Sequence, residues 1–470
     1  MPRAEETRRG RFVLIALAVT FAVSRALAWQ RGVRFDASPL GTFHQYLDPA
    51  LLRDRPLESL WHLHAQPPLM NAFLAGVMQF EESLRAPIFH AAYLACGLLL
   101  CLSVFRLSIR LGAGRWISPL AALLFSLGPA ALLRENHLFY AYPVATLLVL
   151  AALALFRFLE SDRNRDGVLF FAILAAIALM RSLFHPGWMV AVILVLARHP
   201  RVGFGRALRL SLIPLLLVGG WYAKTAAMTG QFAGSTWMGM SLAKITVMQG
   251  EPEARKNMVR KGELSGFALV PPFRPLPAVR KLLTPLPPTG VPVLDEEFKS
   301  TGKANFHHAA YPGVSRAYLA DALTVIRRHP LWYARGLRTA WRNSFRASWS
   351  GEFLADNRAR IPRLDALLQL PHAGKGLLFA GVWFGVLAVT FRRLLRSAGR
   401  RRLSDPAEAT LLFALGTVAY IAAVGNSLDV GENYRFRFLG EPLFVVLCGL
   451  TLRGIIPHIR DRGASPPSPV

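Results

Sequence analysis

Cysteine is nearly missing from this chain. The 470 residues hold three, Cys96, Cys101 and Cys448, and all lie inside apolar stretches. That placement excludes a disulfide framework in an external loop and a cysteine zinc site. Acidic residues are scarce too: 28 Asp and Glu stand against 55 Lys and Arg, a formal net charge of +27. Several motifs are absent: GxxxxGK[ST], the dinucleotide-binding glycine fingerprint, HExxH and GxSxG. Nucleotide-driven transport and the usual zinc or serine hydrolysis lose support. No internal repeat and no RNA- or DNA-binding motif occurs, so the basic charge does not imply a nucleic-acid partner.

Apolar residues are what the chain does have, at 53%, with mean hydropathy +0.34. They gather in blocks of roughly 18–22 residues joined by short arginine-rich links. Each block is long enough to cross a ~30 Å hydrocarbon core as a helix, and the blocks lack a polar face. The expected fold class is an all-α polytopic membrane protein of about ten transmembrane helices, with a helical loop domain on the outer face. The expected spans are 12–29, 86–105, 116–133, 138–157, 167–182, 186–198, 208–224, 376–394, 407–426 and 438–457. The first has no clear cleavage site before Arg31 and reads as an uncleaved span. Pro186 suggests that the short sixth helix begins within the outer interface.

The arginines set the orientation. Arg8, Arg9 and Arg11, the links around Arg106, Arg163, Arg201 and Arg396, and Arg460 and Arg462 all fall on one side if the spans number ten. The positive-inside rule makes that side cytoplasmic, with both termini. The expected divisions are then a membrane module 1–224 containing an outer loop 30–85, an outer-face region 225–375, a second membrane module 376–457, and a disordered cytoplasmic tail 458–470. Within 225–375, Pro271 to Pro292 is proline-rich and reads as extended. Tyr318 to Phe345 reads as helical, broken at Pro330. Tyr333, Leu337, Trp341 and Phe345 mark an apolar stripe beside Arg335, Arg338 and Arg342. The pattern fits either a helix on the membrane surface or a packed helix of the outer region.

The acids, histidines and tyrosines fall mainly in the outer segments. The loop from Arg34 to Asn71 carries Asp36, Asp48, Asp54, Glu58, His44, His62 and His64, and closes on Gln66-Pro67-Pro68-Leu69. Asp36, just past the first span, is placed to take a proton from a hydroxyl, or is an ordinary solvated aspartate. Glu135 sits in the second outer loop beside Asn136, His137, Tyr140 and Tyr142. A carboxylate so near the bilayer needs a partner, either an interfacial arginine or a site shared with the first loop. His62-x-His64 points both rings one way only on a strand, so a metal is the minority reading. Arg181, His185 and Lys224 add outer-face cations. Gly431 to Phe438 (GENYRFRF) adds Arg435 and Arg437 between aromatics, suited either to bidentate phosphate contacts or to lipid headgroups.

Taken together, these parts resemble GT-C type integral membrane glycosyltransferases, in the bacterial branch of protein O-mannosyltransferases and aminoarabinose transferases. The resemblance covers roughly 12–225 and 405–457. It rests on Asp36, His64-Ala65-Gln66-Pro67-Pro68-Leu69, Glu135 and Tyr434-Arg435-Phe436-Arg437. It implies transfer of a sugar from a polyprenyl-phosphate donor to a hydroxyl or amine of a glycan, lipid or protein acceptor, on the outer face of a bacterial inner or plasma membrane. Asp36 would be the base and Glu135 the supporting carboxylate. Arg435 and Arg437 would bind phosphate, and Tyr434, Lys224, Arg181, His64 and His137 would line the substrate site. The family often has two adjacent acids where this chain has Asp36-Ala37, which keeps Asp48 as a rival base. No cofactor is fixed by these residues, and a divalent metal stays open. The alternative function is a transporter or flippase for a lipid-linked or anionic solute, which calls for ionisable residues at mid-bilayer.

Overall fold

Proline starts many of the helices. Pro49, Pro56, Pro68, Pro129, Pro186, Pro330 and Pro406 each occupy a first helical turn. There the missing N–H is an orphan in any case, and the fixed φ already suits the helix. The computed structural model describes residues 2–398 and 404–455, so the tail expected to be disordered lies outside the described residues. Among the described residues there is no β-strand, only two isolated bridges, Asp36 with His137 and Phe298 with Ala304.

Among the described residues seven helices are long and apolar enough to cross a membrane: Gly10–Gln30, Glu82–Arg110, Ala141–Ser161, Gly203–Thr229, Gly376–Arg396, Pro406–Leu428 and Asn433–Ile455. Their apolar surface suits a multi-pass membrane protein. The expected span 116–133 is not one rod. Ile117–Ser126 and Pro129–Glu135 meet at 51°, because Gly128 is extended and Pro129 cannot continue the preceding helix. Counted as one broken span, the pair makes eight. The other two expected spans fall on Asn164–Met180, 17 residues, and Pro186–Leu196, 11 residues. The latter rises only ~16 Å, about half the hydrocarbon core. Ala141–Ser161 lies at the centre, 72% of its apolar window buried, whereas Gly10–Gln30 and Gly376–Arg396, each at 17%, turn most of their surface outward.

Residues 225–375 carry a second apolar cluster of their own, built on Trp237, Met240, Ile245, Phe267, Tyr311, Val314, Tyr318 and Val325. Gly239 lets Met238–Ile245 lie against Tyr311–Arg328: a Cβ there would come 1.8 Å from the Ser315 carbonyl oxygen. The break expected at Pro330 is present, between Tyr311–Arg328 and Pro330–Ser344. The apolar stripe of the second helix packs on protein. Tyr333 donates to the Ser427 carbonyl at 2.9 Å, and the Trp341 ring lies 6.4 Å from Trp383 and 6.0 Å from Phe384. The proline-rich stretch is only partly extended, since Leu276–Val279 and Arg280–Leu282 are helical turns.

Candidate functional site

After the first helix the chain turns at Gly32, whose φ of +91° favours glycine, and runs extended to Asp36. There the segment after the first helix meets the segment around Asn136. Asp36 N–H donates to the Asn136 carbonyl at 2.9 Å, and Leu138 N–H donates to the Asp36 carbonyl at 3.0 Å. This pairing sets Asp36 Oδ2 3.1 Å from His137 Nδ1, while Oδ1 accepts the Ser38 N–H at 2.9 Å. The aspartate side chain is 33% exposed and the histidine 2%. Partial burial pushes the Asp36 carboxyl up, but hydrogen bonds from His137 and Ser38 outweigh it and hold it below the ordinary aspartate value. Burial pulls the His137 imidazole down against the opposing effect of Asp36, and the net is below the ordinary histidine value. At neutral pH the pair is therefore a carboxylate with a neutral imidazole. The Nδ1 proton faces Asp36, and the buried Nε2 has no hydrogen-bond partner among the described residues. Phe353 stacks on the His137 ring at 4.9 Å and holds its plane.

Glu135 does not join that pair. The bend before Pro129 carries it inward, where it is fully buried and held by Arg25 through Nε–Oε1 at 2.9 Å and Nη2–Oε2 at 2.8 Å. Tyr142 donates to Oε2 at 3.0 Å. Gly97 makes room, since a Cβ there would lie 2.0 Å from Oε2. The two outer loops do converge, but the expected pair of carboxylates over one cavity does not form. Glu135 is an ion-pair partner tied to Arg25 of the first span.

Three further candidates fasten the first loop, Asp48 and His64 to residues 225–375 and Lys224 to the helix Gly203–Thr229. Asp48 caps Pro49–Asp54 through Ala50 N–H at 3.0 Å and accepts Ser300 N–H at 2.7 Å, which leaves it poorly placed as a rival base. His64 is buried, with Nδ1 2.9 Å from Thr236 Oγ1 and Nε2 2.8 Å from the His307 carbonyl, and burial takes its pKa to about 4. Lys224 donates to the Leu63 carbonyl and lies 3.8 Å above the Trp221 ring. Neither His64 nor Lys224 lines the large cavity described next.

That cavity, of about 1050 Å3, lies between helix ends and residues of 225–375. Its walls are aromatic and apolar at Tyr222, Phe232, Trp237, Phe273, Tyr420 and Phe436, with Gln66 of the Gln66-Pro67-Pro68-Leu69 stretch and His44 and His185 among its polar groups. Its cations are Arg181, Lys244 and Arg435, and Asp429 is its one acidic lining residue. Arg181 lies 4.6 Å over Tyr140 and 5.4 Å from Phe436, has no carboxylate in ion-pair range among the described residues, and its buried Nε lacks a partner. Arg435 pairs with Glu432 at 2.9 Å, approaches Phe139 and Phe436 at 4.9 and 6.0 Å, and also leaves Nε unpaired. Two guanidiniums therefore border one ring, with too few acids to neutralise them.

Arg437 points elsewhere. Its Nε donates to the Ser344 carbonyl at 2.6 Å and Nη2 to the Arg346 carbonyl at 2.8 Å, and Nη1 pairs with Glu441 at 3.0 Å. On a helix, residues two apart point about 200° from each other, so Arg435 and Arg437 cannot share one phosphate. Arg437 anchors the end of Pro330–Ser344. Tyr434 donates to Glu432 Oε1 at 3.3 Å and does not line the cavity.

Of the expected site residues, Arg181 and Arg435 line the cavity, and Asp36 and His137 do not. Phe139 links the two groups, its ring 6.3 Å from the His137 ring and 4.9 Å from Arg435 Cζ. Lys244, paired with Asp429 at 2.7 Å, was missed by sequence reasoning. A lone lysine in the otherwise apolar helix Met238–Ile245 was its signal. Among the described residues no group of three His, Cys, Asp or Glu is arranged to hold a metal ion. No family model, curated protein or solved structure matches the chain.

Proposed function

We propose that the protein is a membrane glycosyltransferase of the GT-C type, moving a sugar from a polyprenyl-phosphate donor to an acceptor hydroxyl or amine on the outer face. Membrane modules 1–224 and 376–457 would carry the outer region 225–375, with both termini cytoplasmic. The observation that carries the reading is Arg181, a half-buried guanidinium without a carboxylate among the described residues and with its buried Nε unbonded, beside Arg435 at an aromatic-walled cavity. Two neighbouring guanidiniums repel each other, and a phosphate placed between them removes that repulsion through charge-assisted bonds. The aromatic and apolar wall suits a prenyl chain entering from the bilayer.

In this scheme Asp36 takes the acceptor's proton. The acceptor oxygen or nitrogen bonds to the anomeric carbon, and the bond from that carbon to the phosphate oxygen breaks. Polyprenyl phosphate leaves with its electron pair, stabilised by Arg181 and Arg435. His137 keeps Asp36 ionised and oriented.

The test is sugar transfer by the purified chain in detergent, where no compartments exist. Transfer from a polyprenyl-phosphate sugar supports the enzyme. Vectorial uptake of the lipid or an anionic solute into liposomes, with no transfer in detergent, favours the transporter instead.

A further inference from the structure

We propose that Pro330–Ser344 is an anionic-lipid contact, its arginine face gripping headgroup phosphates at the surface of the bilayer. The inference needs only the membrane setting and stands apart from the sugar-transfer reading.

Arg335, Arg338 and Arg342 follow one another at spacings of three and four, so they form one ridge along the helix. All three are exposed, and Arg346, also exposed, continues the ridge past the helix end. None of the four makes an ion pair among the described residues. The acids at this end of the molecule are already taken: Glu432 by Arg435, Glu441 by Arg437 and Asp429 by Lys244. The charge is thus uncompensated within the chain.

The position of the ridge supplies the occupant. The helix is fastened to the turn between the last two spans, where Asn343 donates to the Gly431 carbonyl at 3.1 Å and Tyr333 to Ser427. A turn between two spans marks a membrane boundary. Beside the ridge, Trp341 stacks on Phe384, which belongs to the candidate span Gly376–Arg396 and is 51% exposed. An indole at the interface with guanidiniums next to it is the arrangement that aromatic belts and snorkelling arginines adopt. A planar guanidinium matches a phosphate with two parallel bonds, and each cation near an anionic surface contributes roughly a five-fold gain in local affinity.

The experiment uses the full chain in detergent, titrated with phosphatidylglycerol or phosphatidylcholine, with bound lipids counted by native mass spectrometry. Wild type should retain phosphatidylglycerol in preference. The triple variant Arg335→Gln, Arg338→Gln, Arg342→Gln should lose that preference about ten-fold or more. The matching triple lysine variant should keep a substantial part of it, because the charge is retained. Equal unfolding temperatures in phosphatidylcholine nanodiscs show that the glutamine variant still folds. An unchanged preference in the glutamine variant overturns the proposal. So does a ridge that cross-links to a second copy of the chain in phosphatidylglycerol nanodiscs and binds no extra lipid.

Discussion

His137 Nδ1 lies 3.1 Å from Asp36 Oδ2, a contact made between residues 101 positions apart. The backbone bridge that brings them together leaves the carboxylate partly open to solvent while the imidazole is sealed behind it. In the proposed reaction this makes Asp36 the group that meets the acceptor and His137 the residue that positions it.

Asp36→Asn should therefore lower transfer turnover by about 10²-fold or more, the usual loss when a general base is removed. His137→Gln has a different signature. The hydrogen bond from His137 favours the ionised carboxylate, so weakening it raises the Asp36 pKa. The acid limb of the pH–rate profile should move to higher pH, while the affinity for donor stays near wild type. An unmoved acid limb would detach His137 from that role.

The Arg25–Glu135 pair makes a prediction about stability. Glu135→Ala leaves a buried guanidinium unpaired and should cost about 3–5 kcal/mol, whereas Arg25→Met with Glu135→Leu together should recover much of it. Gly97→Ala, whose new methyl collides with Glu135, should destabilise the protein with no charge removed. Thermal unfolding in one detergent compares all three, and wild-type stability for Glu135→Ala would contradict the structural assignment.

The packing of residues 225–375 around His64 should loosen in acid. His64 is held neutral between Thr236 and the His307 carbonyl, with its pKa depressed by burial to about 4 and kept low by nearby Lys224 and His308. The unfolded chain takes up this proton near pH ~6.5 and the folded chain only near 4, so stability is complete above ~6.5 and falls as pH drops toward 4. A shift of this size amounts to about 3 kcal/mol. His44, also lowered by burial to about 4, acts in the same direction. Hydrogen exchange of residues 232–240 should accelerate between pH 6.5 and 4, and His64→Gln should flatten part of that dependence. Exchange independent of pH in this window would rule the account out.

Much of the architecture is legible in the sequence because apolar runs and proline are local signals. Seven expected spans and the break at Pro330 need only the neighbouring residues. The broken span required weighing Gly128-Pro129 against an apolar run that reads straight through it. The site is less legible because its contacts are long-range. Nothing near Glu135 indicates that Arg25, 110 positions earlier, will claim it. Lys244, Tyr222 and Asp429 reach the cavity from three separate segments. Arg435 and Arg437, both expected at phosphate, diverge for a local reason: in a helix a spacing of two separates their directions, whatever the aromatics between them suggest.

The central claim is that the cavity binds a lipid phosphate through Arg181, which has no carboxylate partner among the described residues, together with Arg435. The most direct measurement is the affinity of the purified full chain in detergent for polyprenyl phosphate and for the matching uncharged polyprenol, in wild type and Arg181→Gln. Losing one charge-assisted bond should weaken polyprenyl phosphate by about ten-fold or more, and polyprenol should compete poorly with it. Equal affinity for the phosphate and the alcohol, or undiminished binding in Arg181→Gln, would contradict the account.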